Sequence, residues 1–399
     1  MIKIDRFVDC CGCASCVQVC PKQCISFNED KQGFRYPQVN KSICIECGSC
    51  ERVCPMLKLR DPVLPKSVYA AKNQDEEIRL ASSSGGIFTL LSEKIISEVG
   101  VVFGARFDEN WEVVHDYTET VEGLVAFRGS KYLQSRIEDN YQKAKSFLVK
   151  GQKVLFSGTP CQIAGLKSFL KKDYDNLVCV DFVCHGVTSP KVWRRYLKEV
   201  ARKSDKNSVS RMFISKTDTL IKSVNFRDKA TGWKKFSFTV SLSETSVEGE
   251  QNTVSQSAIF SENAFMKAFL KNIILRPACY ACRFREGRSG SDITLGDFWG
   301  IDKLRPKIDD DLGVGLLMIN SEKGRCFYSS ISADNIEMTY DEARKHNPSI
   351  YSSSKMHPMR PYFFWSLDKS FNLHRLIDRS VQYKPGIFYR VLRKLKLAR

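Results

Sequence analysis

The chain has 399 residues, of which 43% are hydrophobic and 27% are charged, and this balance is that of a folded globular protein rather than a disordered one. The length favours about two to three domains. A formal net charge of +17 fits either a nucleic-acid surface or a set of bound anions. The sixteen cysteines lie at clustered spacings, no apolar leader opens the chain, and no apolar run reaches about 18 residues, so we expect a cytoplasmic chain without disulfides or a membrane span.

The amino terminus carries the same cysteine pattern twice. In each copy three cysteines follow one another at gaps of two residues, and a fourth cysteine, followed by proline, comes after a gap of three. This spacing is typical of bacterial ferredoxins, in which each copy contributes three thiolates to one 4Fe–4S cluster and its fourth thiolate to the other cluster. The predicted ligand sets are therefore Cys10, Cys13, Cys16 and Cys54 for the first cluster, and Cys44, Cys47, Cys50 and Cys20 for the second.

Zinc is the alternative for these cysteines, because paired Cys-x-x-Cys units also bind structural zinc. Zinc loops rarely combine three cysteines at two consecutive short gaps with a trailing Cys-Pro. Here the combination occurs twice, so iron–sulfur clusters are favoured. Cys11 falls outside the spacing, and Cys24 is predicted to pack in the core. The pattern predicts a ferredoxin-like domain over residues 1–58, followed by a proline-rich linker over residues 59–66.

A larger mixed α/β domain is predicted over residues 67–380. It opens with a strand at residues 68–71, and a helix with apolar residues at helical spacing starts at Ile87. The serines ahead of this helix are expected to cap it. Glycines at such a position let a phosphate approach the helix N-terminus, although a polar turn that only caps the helix is the alternative. The residues in question are Ser84, Gly85 and Gly86.

A basic loop and a second glycine turn follow. The loop at residues 128–132 places Lys131 beside a Gly-Ser pair, which fits an anion, although a solvated turn is the alternative. A strand then leads through Gly158 and Thr159 into a helix that begins with Pro160. Strand ends of this kind are where α/β proteins bind ligands, so this turn is a further candidate for a ligand site.

Helix and strand signals continue through the rest of the chain. Ser135 and Glu138 have the spacing of a capping box for a helix that runs through residue 149. Ser189 is expected to cap a helix from about residue 191 to residue 200. Alternating residues between 209 and 242 predict antiparallel strands with one face in water.

Four further cysteines each stand at the end of a predicted element, beside glycine, proline or arginine; they are Cys161, Cys184, Cys279 and Cys282. Together they could close a third 4Fe–4S cluster. Two alternatives stay open: a zinc site of three cysteines with His185, and one buried cysteine beside an unrelated pair. Cys179 and Cys326 are predicted to be core residues, and the remaining histidines are given no role.

These motifs together resemble the β-subunit family of coenzyme F420 hydrogenases and dehydrogenases over residues 67 to about 305. The matching stretches are residues 84–86, 128–132, 158–162 and 184–186, and Cys279 and Cys282 with residues 292–300. The resemblance implies a flavin domain that passes electrons between iron–sulfur clusters and a small two-electron partner. That partner is a deazaflavin in the methanogen enzymes and a chlorophyll-type macrocycle in plant and cyanobacterial relatives. Bacterial chains fused to a ferredoxin domain accompany surface-polysaccharide genes.

With this resemblance, the expected fold class is α+β, with a small ferredoxin-like two-cluster domain ahead of a larger mixed α/β flavin-binding domain. We expect an iron–sulfur flavoprotein oxidoreductase with two 4Fe–4S clusters, a third cluster if the later cysteines converge, and FAD. The expected partners are a small redox substrate and a ferredoxin or another electron carrier. The residues expected to hold the FAD pyrophosphate are Ser84, Gly85, Gly86, Lys131, Gly158 and Thr159.

Two other functions compete with this expectation. The chain could relay electrons to another protein without a substrate site of its own, or it could be a nucleic-acid enzyme with clusters and a basic face. Two or three clusters at about −2 each and a flavin at about −2 would reduce the net charge of +17 to about +9 to +11. Bound cofactors thus account for part of the charge, and we expect no nucleic-acid partner.

The last predicted element is a basic amphipathic tail over residues 381–399. Its apolar positions share one helical face, which basic residues flank. The apolar positions are Phe388, Val391, Leu392 and Leu395, and the basic ones are Arg390, Arg393, Lys394 and Lys396. Such a helix binds an anionic membrane surface, here the inner face of the membrane, although a terminal helix docked on its own domain is the alternative.

Overall fold

The computed structural model describes residues 1–204, 220–245 and 251–383. It has the expected fold class, since a small ferredoxin-like unit with a two-stranded sheet precedes a larger mixed unit with a three-stranded and an eight-stranded sheet. The strands are β1 Ile25–Glu29, β2 Arg35–Val39, β3 Ser67–Lys72, β4 Val101–Phe107, β5 Val113–Thr118, β6 Val154–Ser157, β7 Leu177–Phe182, β8 Leu220–Asp228, β9 Ser237–Thr245, β10 Gln251–Ile259, β11 Ile293–Asp297, β12 Gly315–Ile319 and β13 Asp334–Met338.

The helices of the described ranges have between 4 and 15 residues. They are α1 Ser15–Gln18, α2 Ser49–Arg52, α3 Glu76–Ala81, α4 Ile87–Ser97, α5 Asn140–Val149, α6 Pro160–Leu170, α7 Pro190–Ser204, α8 Ala264–Leu270, α9 Ile301–Leu304, α10 Glu322–Tyr328, α11 Tyr340–Lys345, α12 Arg360–Leu367 and α13 Leu373–Gln382. Within these ranges, no helix is both long enough and apolar enough to cross a membrane.

The ferredoxin-like unit folds both cysteine runs in the same way. Ala14 (φ 65°) precedes α1 and Gly48 (φ 68°) precedes α2, so a left-handed residue starts each short helix. The hairpin of β1 and β2 lies between the two runs in the chain and pairs antiparallel. Residues 55–66 contain neither helix nor strand. The Val63 amide donates to the Glu286 carbonyl (2.9 Å), so the predicted linker is fastened to the larger unit. The boundaries of the predicted domains stay predictions.

The eight-stranded sheet brings many strand ends to one edge. Its order is β13-β3-β12-β11-β7-β6-β4-β5, and its centre from β11 to β4 is parallel. Because β12 runs antiparallel to both β11 and β3, the strand β3 points the same way as β11. The carboxyl ends of β3, β11, β7, β6 and β4 therefore meet at one edge, which is where ligands bind in sheets of this kind.

Helices cover both faces of the central strands, which explains why these strands are apolar throughout. On one face, Phe103 and Phe156 pack with Leu166 of α6. On the other face, Val102 and Leu155 pack with residues of α4. A separate core around Trp193 joins the three-stranded sheet to α7, α8 and α13, so the smaller sheet is anchored beside the larger one.

The predicted helix from Ile87 is confirmed, but its predicted serine cap is wrong. The residue before α4 is Gly86, whose φ is 79°, and no side chain caps the helix. Ser84 Oγ donates instead to the Val314 carbonyl (3.0 Å), which ties the loop to the start of β12. The serine thus satisfies a strand carbonyl rather than a helix amide. Before α7 the prediction holds, since Ser189 Oγ accepts from the Val192 amide (3.2 Å).

The capping box predicted for the next helix is also wrong. The helix α5 begins at Asn140 and not directly after Ser135. Ser135 Oγ accepts from Gln162 Nε2 (2.9 Å), and Glu138 takes a left-handed φ of 46°, so neither residue is free to cap. Cys326, predicted to be a core residue, lies exposed on α10, whereas Cys179 is fully buried as expected.

Two predictions fall on residues outside the described ranges. The amphipathic tail helix, with residues 386–397, lies there completely, and so does the part of the predicted strand region at residues 209–219. For the remainder of that region, β8 and β9 pair antiparallel as predicted. The membrane role of the tail stays a prediction.

Candidate functional site

The predicted ligands of the first cluster, Cys10, Cys13, Cys16 and Cys54, lie close together. Burial raises the pKa of the Cys16 thiol, and the charges of Cys13, Cys10 and Cys54 raise it further. Burial also raises the pKa of Cys54 to about 11, with contributions from Cys13 and Cys10. The fourth cysteine of the second run thus faces the first run, which is the arrangement that shared ligation requires.

The predicted ligands of the second cluster line one small cavity; they are Cys20, Cys44, Cys47 and Cys50. Cys24 lines the same cavity, and its Sγ lies 3.4 Å from Cys20 Sγ, so it packs against this group as a buried neighbour. The Ile2 amide donates to Cys50 Sγ (3.2 Å), the kind of hydrogen bond that tunes a cluster thiolate. Cys47 is exposed, so the second group reaches the protein surface.

The four later cysteines converge at the carboxyl edge of the eight-stranded sheet. Cys161 lies in the first turn of α6, Cys184 follows β7, and the pair Cys279 and Cys282 belongs to a 3₁₀ turn at Pro277–Ala281 and the residue after it. Burial raises the pKa of the Cys184 thiol, and Cys279, Cys161 and Cys282 raise it further. The geometry favours a common site over one buried cysteine beside an unrelated pair.

His185 is held by partners other than these cysteines. Its Nε2 lies 2.6 Å from Asn272 Oδ1, and its ring meets the Phe269 ring edge-on with centroids 4.9 Å apart. Burial lowers the pKa of His185, while the hydrogen bond with Asn272 raises it. The alternative site of three cysteines with His185 is therefore less favoured than a site of four cysteines.

The crowding of thiols is the observation that tests whether these groups fit iron–sulfur clusters. Burial and neighbouring thiols raise the pKa of Cys279 to about 12, and a cationic metal centre is what offsets such repulsion between thiolates. The described ranges contain no group of three or more His, Cys, Asp or Glu side chains close enough together to bind a single metal ion. A 4Fe–4S cluster binds its thiolates at separate corners of a cube, so three groups of four thiols fit that donor set.

The first and third groups are in contact. One hydrophobic core contains two thiols of each group. They are Cys13 and Cys54 of the first group and Cys161 and Cys282 of the third. Cys11, Met56, Ala164 and Phe284 complete this core. Cys11 stays outside the ligand sets, but hydrogen bonds with Cys13 and Cys161 raise the pKa of its thiol, so it lies between them. The second group packs against the first through Cys16 and Cys50. The three groups thus form a continuous row.

Arg276 also lies between the first and third groups, and its side chain is only 1% exposed. Its Nε donates to the Cys10 carbonyl (2.9 Å), and its Nη1 donates to Gln134 Oε1 (2.7 Å). Its Nη2 lies 3.7 Å from Cys10 Sγ. The guanidinium carbon lies 4.4 Å from the centroid of the Tyr36 ring. Sequence reasoning missed this residue, because its contacts join positions 266 residues apart.

Ser84, Gly85 and Gly86, expected to hold the FAD pyrophosphate, lie over the carboxyl end of β3. A Cβ on Gly85 would come 2.3 Å from the Ala71 carbonyl oxygen and 2.6 Å from the Gly315 amide nitrogen. Gly86 has a φ of 79°, which favours glycine. Both glycines are therefore needed for the approach of α4 to the sheet, and their role towards a phosphate stays a prediction.

Lys131 lies beside this loop, with its ammonium group turned onto its own backbone. Burial lowers the pKa of Lys131 to about 7. The neighbouring Ser130 amide donates to Ser83 Oγ (2.6 Å), which fastens the basic loop to the residues before α4. Lys131 Nζ donates to three carbonyls, those of Phe127 (3.4 Å), Arg128 (2.9 Å) and Gly129 (3.2 Å). A phosphate would have to replace some of these bonds.

Gly158 and Thr159 follow β6 and border the third cysteine group. Thr159 forms a capping box with Gln162 at the start of α6. Thr159 Oγ1 also lies 3.1 Å from Cys161 Sγ. The predicted flavin residues thus share one edge of the sheet, with the turn at Thr159 next to the cysteines. Their assignment to FAD stays a prediction.

A buried ion pair at the same edge was missed by sequence reasoning. Arg227 of β8 donates through both terminal nitrogens to the carboxylate of Asp297 (3.1 and 3.2 Å), which ends β11. Trp233 Nε1 donates to the same carboxylate (3.0 Å) and stacks on Trp299 with centroids 5.0 Å apart. The stretch 292–300 is recognisable in the sequence, but its partners come from the three-stranded sheet and the turn beside it, which no local pattern indicates.

A cavity of about 460 Å³ lies between the ferredoxin-like unit and the larger unit. The first unit contributes Gly12, Ala14 and Cys20 to its lining. The second contributes Glu112, Arg136 and Trp193, among others. This volume is within the range of small-ligand pockets, about 300–1,000 Å³. No sequence pattern indicated this cavity, because the two units meet only in the folded chain.

Comparisons with known proteins confirm the family indicated by the motifs. Residues 151–343 match the family that describes the C terminus of the coenzyme F420 hydrogenase/dehydrogenase beta subunit. Residues 9–57 match the family described as 4Fe-4S dicluster domain. The first match begins after Gly86 and Lys131, so it does not include those predicted flavin residues.

Proteins similar to this chain include a curated relative and a chain of a solved structure. The coenzyme F420-dependent sulfite reductase of Methanocaldococcus jannaschii is 29% identical over 172 residues, which are 41% of this chain. The match spans only 26% of that relative's own length. A solved structure of the F420-reducing NiFe hydrogenase complex of Methanosarcina barkeri covers 81% of this chain and 91% of its own matched chain, with 18% identity and a TM-score of 0.43.

Proposed function

The chain joins a 4Fe–4S dicluster domain to a domain of the coenzyme F420 hydrogenase/dehydrogenase β-subunit family, and from this premise we propose that it is an iron–sulfur flavoprotein oxidoreductase. It exchanges electrons with a carrier and reduces or oxidises a small two-electron substrate. A bound flavin supplies the exchange between one-electron and two-electron chemistry. The relative from Methanocaldococcus jannaschii is named as F420-dependent, so coenzyme F420 is a candidate for the two-electron partner here.

The contact between the cysteine groups is the observation that carries the proposal. Cys47 of the second group is exposed, whereas Cys161 of the third group lies at the carboxyl edge of the eight-stranded sheet. Between them, Cys13 and Cys54 of the first group pack with the third group. A row with one exposed end and one end at a ligand-binding edge suits the transfer of electrons from a carrier to a buried reaction site.

The cavity between the two units favours an enzyme over a protein that only relays electrons. A pure relay needs no space for a small molecule, whereas this cavity of about 460 Å³ borders the cysteine-bearing loop at Gly12 and Ala14. Arg136 and Arg194 in its wall both pair with Glu112. Neither the third cysteine group nor the predicted flavin residues line the cavity, so it is a candidate substrate site apart from the carboxyl edge of the sheet. The surface-polysaccharide setting and the inner membrane face remain proposals without support from this site.

The proposed cofactors are tested by metal and flavin analysis of protein purified without oxygen. We expect about eight irons per chain from the first two groups and about twelve with the third. Denaturation should release one FAD. Iron near four per chain, zinc in place of iron, or no flavin would overturn the proposal.

Single cysteine variants assign the iron to its groups. Cys279→Ser should lower the iron content by about four while sparing the signals of the first two clusters. Cys326→Ser is the matched control, since this thiol is exposed on α10, and it should leave the iron content unchanged. Cys11→Ser should also retain all iron. Turnover of coenzyme F420 or another small substrate by the isolated chain would exclude the relay alternative.

A further inference from the structure

Arg276 is a buried cation whose partners are unusual for an arginine. Its guanidinium carbon lies 4.4 Å from the centroid of the Tyr36 ring. In the described part of the chain, no carboxylate lies within ion-pair distance of its guanidinium. An arginine cannot lose its proton inside a protein, so its buried charge requires anions nearby. An ionisable group that its side chain reaches is the Cys10 thiol, whose Sγ lies 3.7 Å from Nη2.

The same residue contacts two cysteine groups at once. Its Nη2 lies 3.7 Å from Cys10 Sγ, and its backbone carbonyl accepts from the Cys279 amide (2.9 Å). Cys10 belongs to the predicted first cluster and Cys279 to the predicted third. Arg276 therefore lies where these two groups meet, with its charged end beside Cys10.

We propose that Arg276 is a positioning residue that holds the first and third clusters together and raises the reduction potential of the first. This inference rests on the proposed function, since it requires the clusters. Each electron that a cluster accepts adds one negative charge, and a fixed cation close to the thiolates stabilises the reduced form. Hydrogen bonds to Cys10, through its carbonyl and its Sγ, keep the guanidinium at that place.

Arg276 also fastens the two units to each other. Its Nη2 donates to the Arg35 carbonyl (2.9 Å), so it holds β2 of the ferredoxin-like unit, while its own backbone amide donates to the Val187 carbonyl (2.9 Å) of the larger unit. Arg276 therefore connects the two units and also carries the positive charge. Its position affects both the distance between the clusters and the reduction potential beside it.

The test is a redox titration of the clusters followed by electron paramagnetic resonance, on wild-type protein and on Arg276→Gln and Arg276→Lys. We expect Arg276→Gln to keep its iron and to lower the reduction equilibrium constant of one cluster by about tenfold, which is 59 mV for a one-electron couple. Arg276→Lys keeps the charge, so its potential should lie close to that of wild type. This pattern of rescue would not arise from loss of packing alone.

Arg360→Gln is the matched control. Arg360 is also buried, with 6% exposure, and its Nη2 joins the units by donating to Gln32 Oε1 (2.6 Å) and to the Leu275 carbonyl (3.1 Å). These bonds go to an amide and a backbone carbonyl rather than to a cysteine, so its replacement should leave the potentials unchanged. If Arg276→Gln does not fold, Arg276→Met serves as the neutral replacement. A wild-type potential in Arg276→Lys and a lowered potential in Arg276→Met would then support the inference.

The outcomes separate this inference from the proposed function. Full iron in every variant with unshifted potentials would overturn the inference and leave the proposed function standing. An equal shift in the Arg276→Lys and Arg276→Gln proteins would also overturn it, because then the charge is not the cause. Wild-type protein without iron would overturn the proposed function, and this inference with it.

Discussion

Two cations near the expected cofactor sites, the buried Arg276 and the half-buried Lys131, contact thiols and backbone carbonyls. A buried charge without a counter-ion is unfavourable, so such a group either gives up its proton or is neutralised by a bound anion. Arg276 keeps its proton, whereas burial lowers the pKa of Lys131 to about 7. Lys131 can thus change its charge near neutral pH, and this gives the predicted phosphate contact a pH signature.

If Lys131 binds the FAD pyrophosphate, FAD affinity should weaken as the pH rises. In the flavin-free protein the ammonium group is protonated below its pKa of about 7, and a bound phosphate raises that pKa. FAD affinity is therefore highest below pH 7. Above pH 7 it falls by about tenfold per pH unit, until the pH reaches the pKa of Lys131 in the FAD complex. Titration of the flavin-free protein with FAD between pH 6 and pH 9, followed by flavin fluorescence, measures this dependence.

Lys131→Met should bind FAD more weakly at pH 6 and show no such dependence on pH. Lys150→Met is the control, since Lys150 is exposed after the end of α5 and should behave like wild type. Parallel pH profiles for wild type and Lys131→Met would show that Lys131 only holds its own loop through its bonds to the carbonyls.

At the scale of elements, the sequence predicted what local pattern determines and failed where distant residues decide. The helix α4, the helix α6 and the strand β3 were predicted from local residue patterns and from Pro160, and these predictions are confirmed. The capping box failed because Ser135 bonds Gln162 from another element. Hydroxyl groups bind whichever partner the fold brings near, and spacing along the chain does not reveal that partner.

The glycines before α4 have two interpretations, close packing of the backbone and phosphate binding, which the sequence alone does not distinguish. We predict that Gly85→Ala destabilises the protein by about 1–3 kcal/mol, because the new Cβ would overlap the backbone of β3 and β12. The melting temperature of the oxygen-free protein should fall, and FAD content should fall with it as the start of α4 moves. Gly151→Ala has open space for its Cβ and strain from φ alone, so a smaller loss is expected. Equal melting temperatures for Gly85→Ala and wild type would refute the close-packing account.

At the scale of the whole molecule, the two units form one row of cysteine groups. No local sequence pattern predicts this row. The dicluster domain was predictable, because its cysteine spacing is set by one short stretch of chain, and the assignment of its two ligand sets stays a prediction. The convergence of Cys161, Cys184 and Cys279 could be proposed but not decided, because these residues come from separate elements. The cavity and Arg276 could not be predicted, since both depend on how the ferredoxin-like unit sits on the larger one.

The exposed end of this row predicts where an electron carrier docks. Ile43 is 49% exposed and Ile45 is 57% exposed, and they flank Cys44 of the second group beside the exposed Cys47. Large apolar side chains at such a position suit contact with a partner protein. The net charge of +17 favours an acidic partner such as a ferredoxin.

Ile45→Glu should therefore slow electron transfer from an acidic ferredoxin by roughly threefold to tenfold, because it removes an apolar contact and adds repulsion. Reduction by dithionite, a small reagent that needs no docking surface, should keep its wild-type rate. Val149→Glu is the control, since Val149 is 67% exposed at the end of α5 and the second group does not include it. Stopped-flow measurement of cluster bleaching under both reductants gives these rates. If Ile45→Glu slows both reductants equally, the substitution has damaged the cluster; if it slows neither, electrons enter elsewhere and the second group is not the entry point.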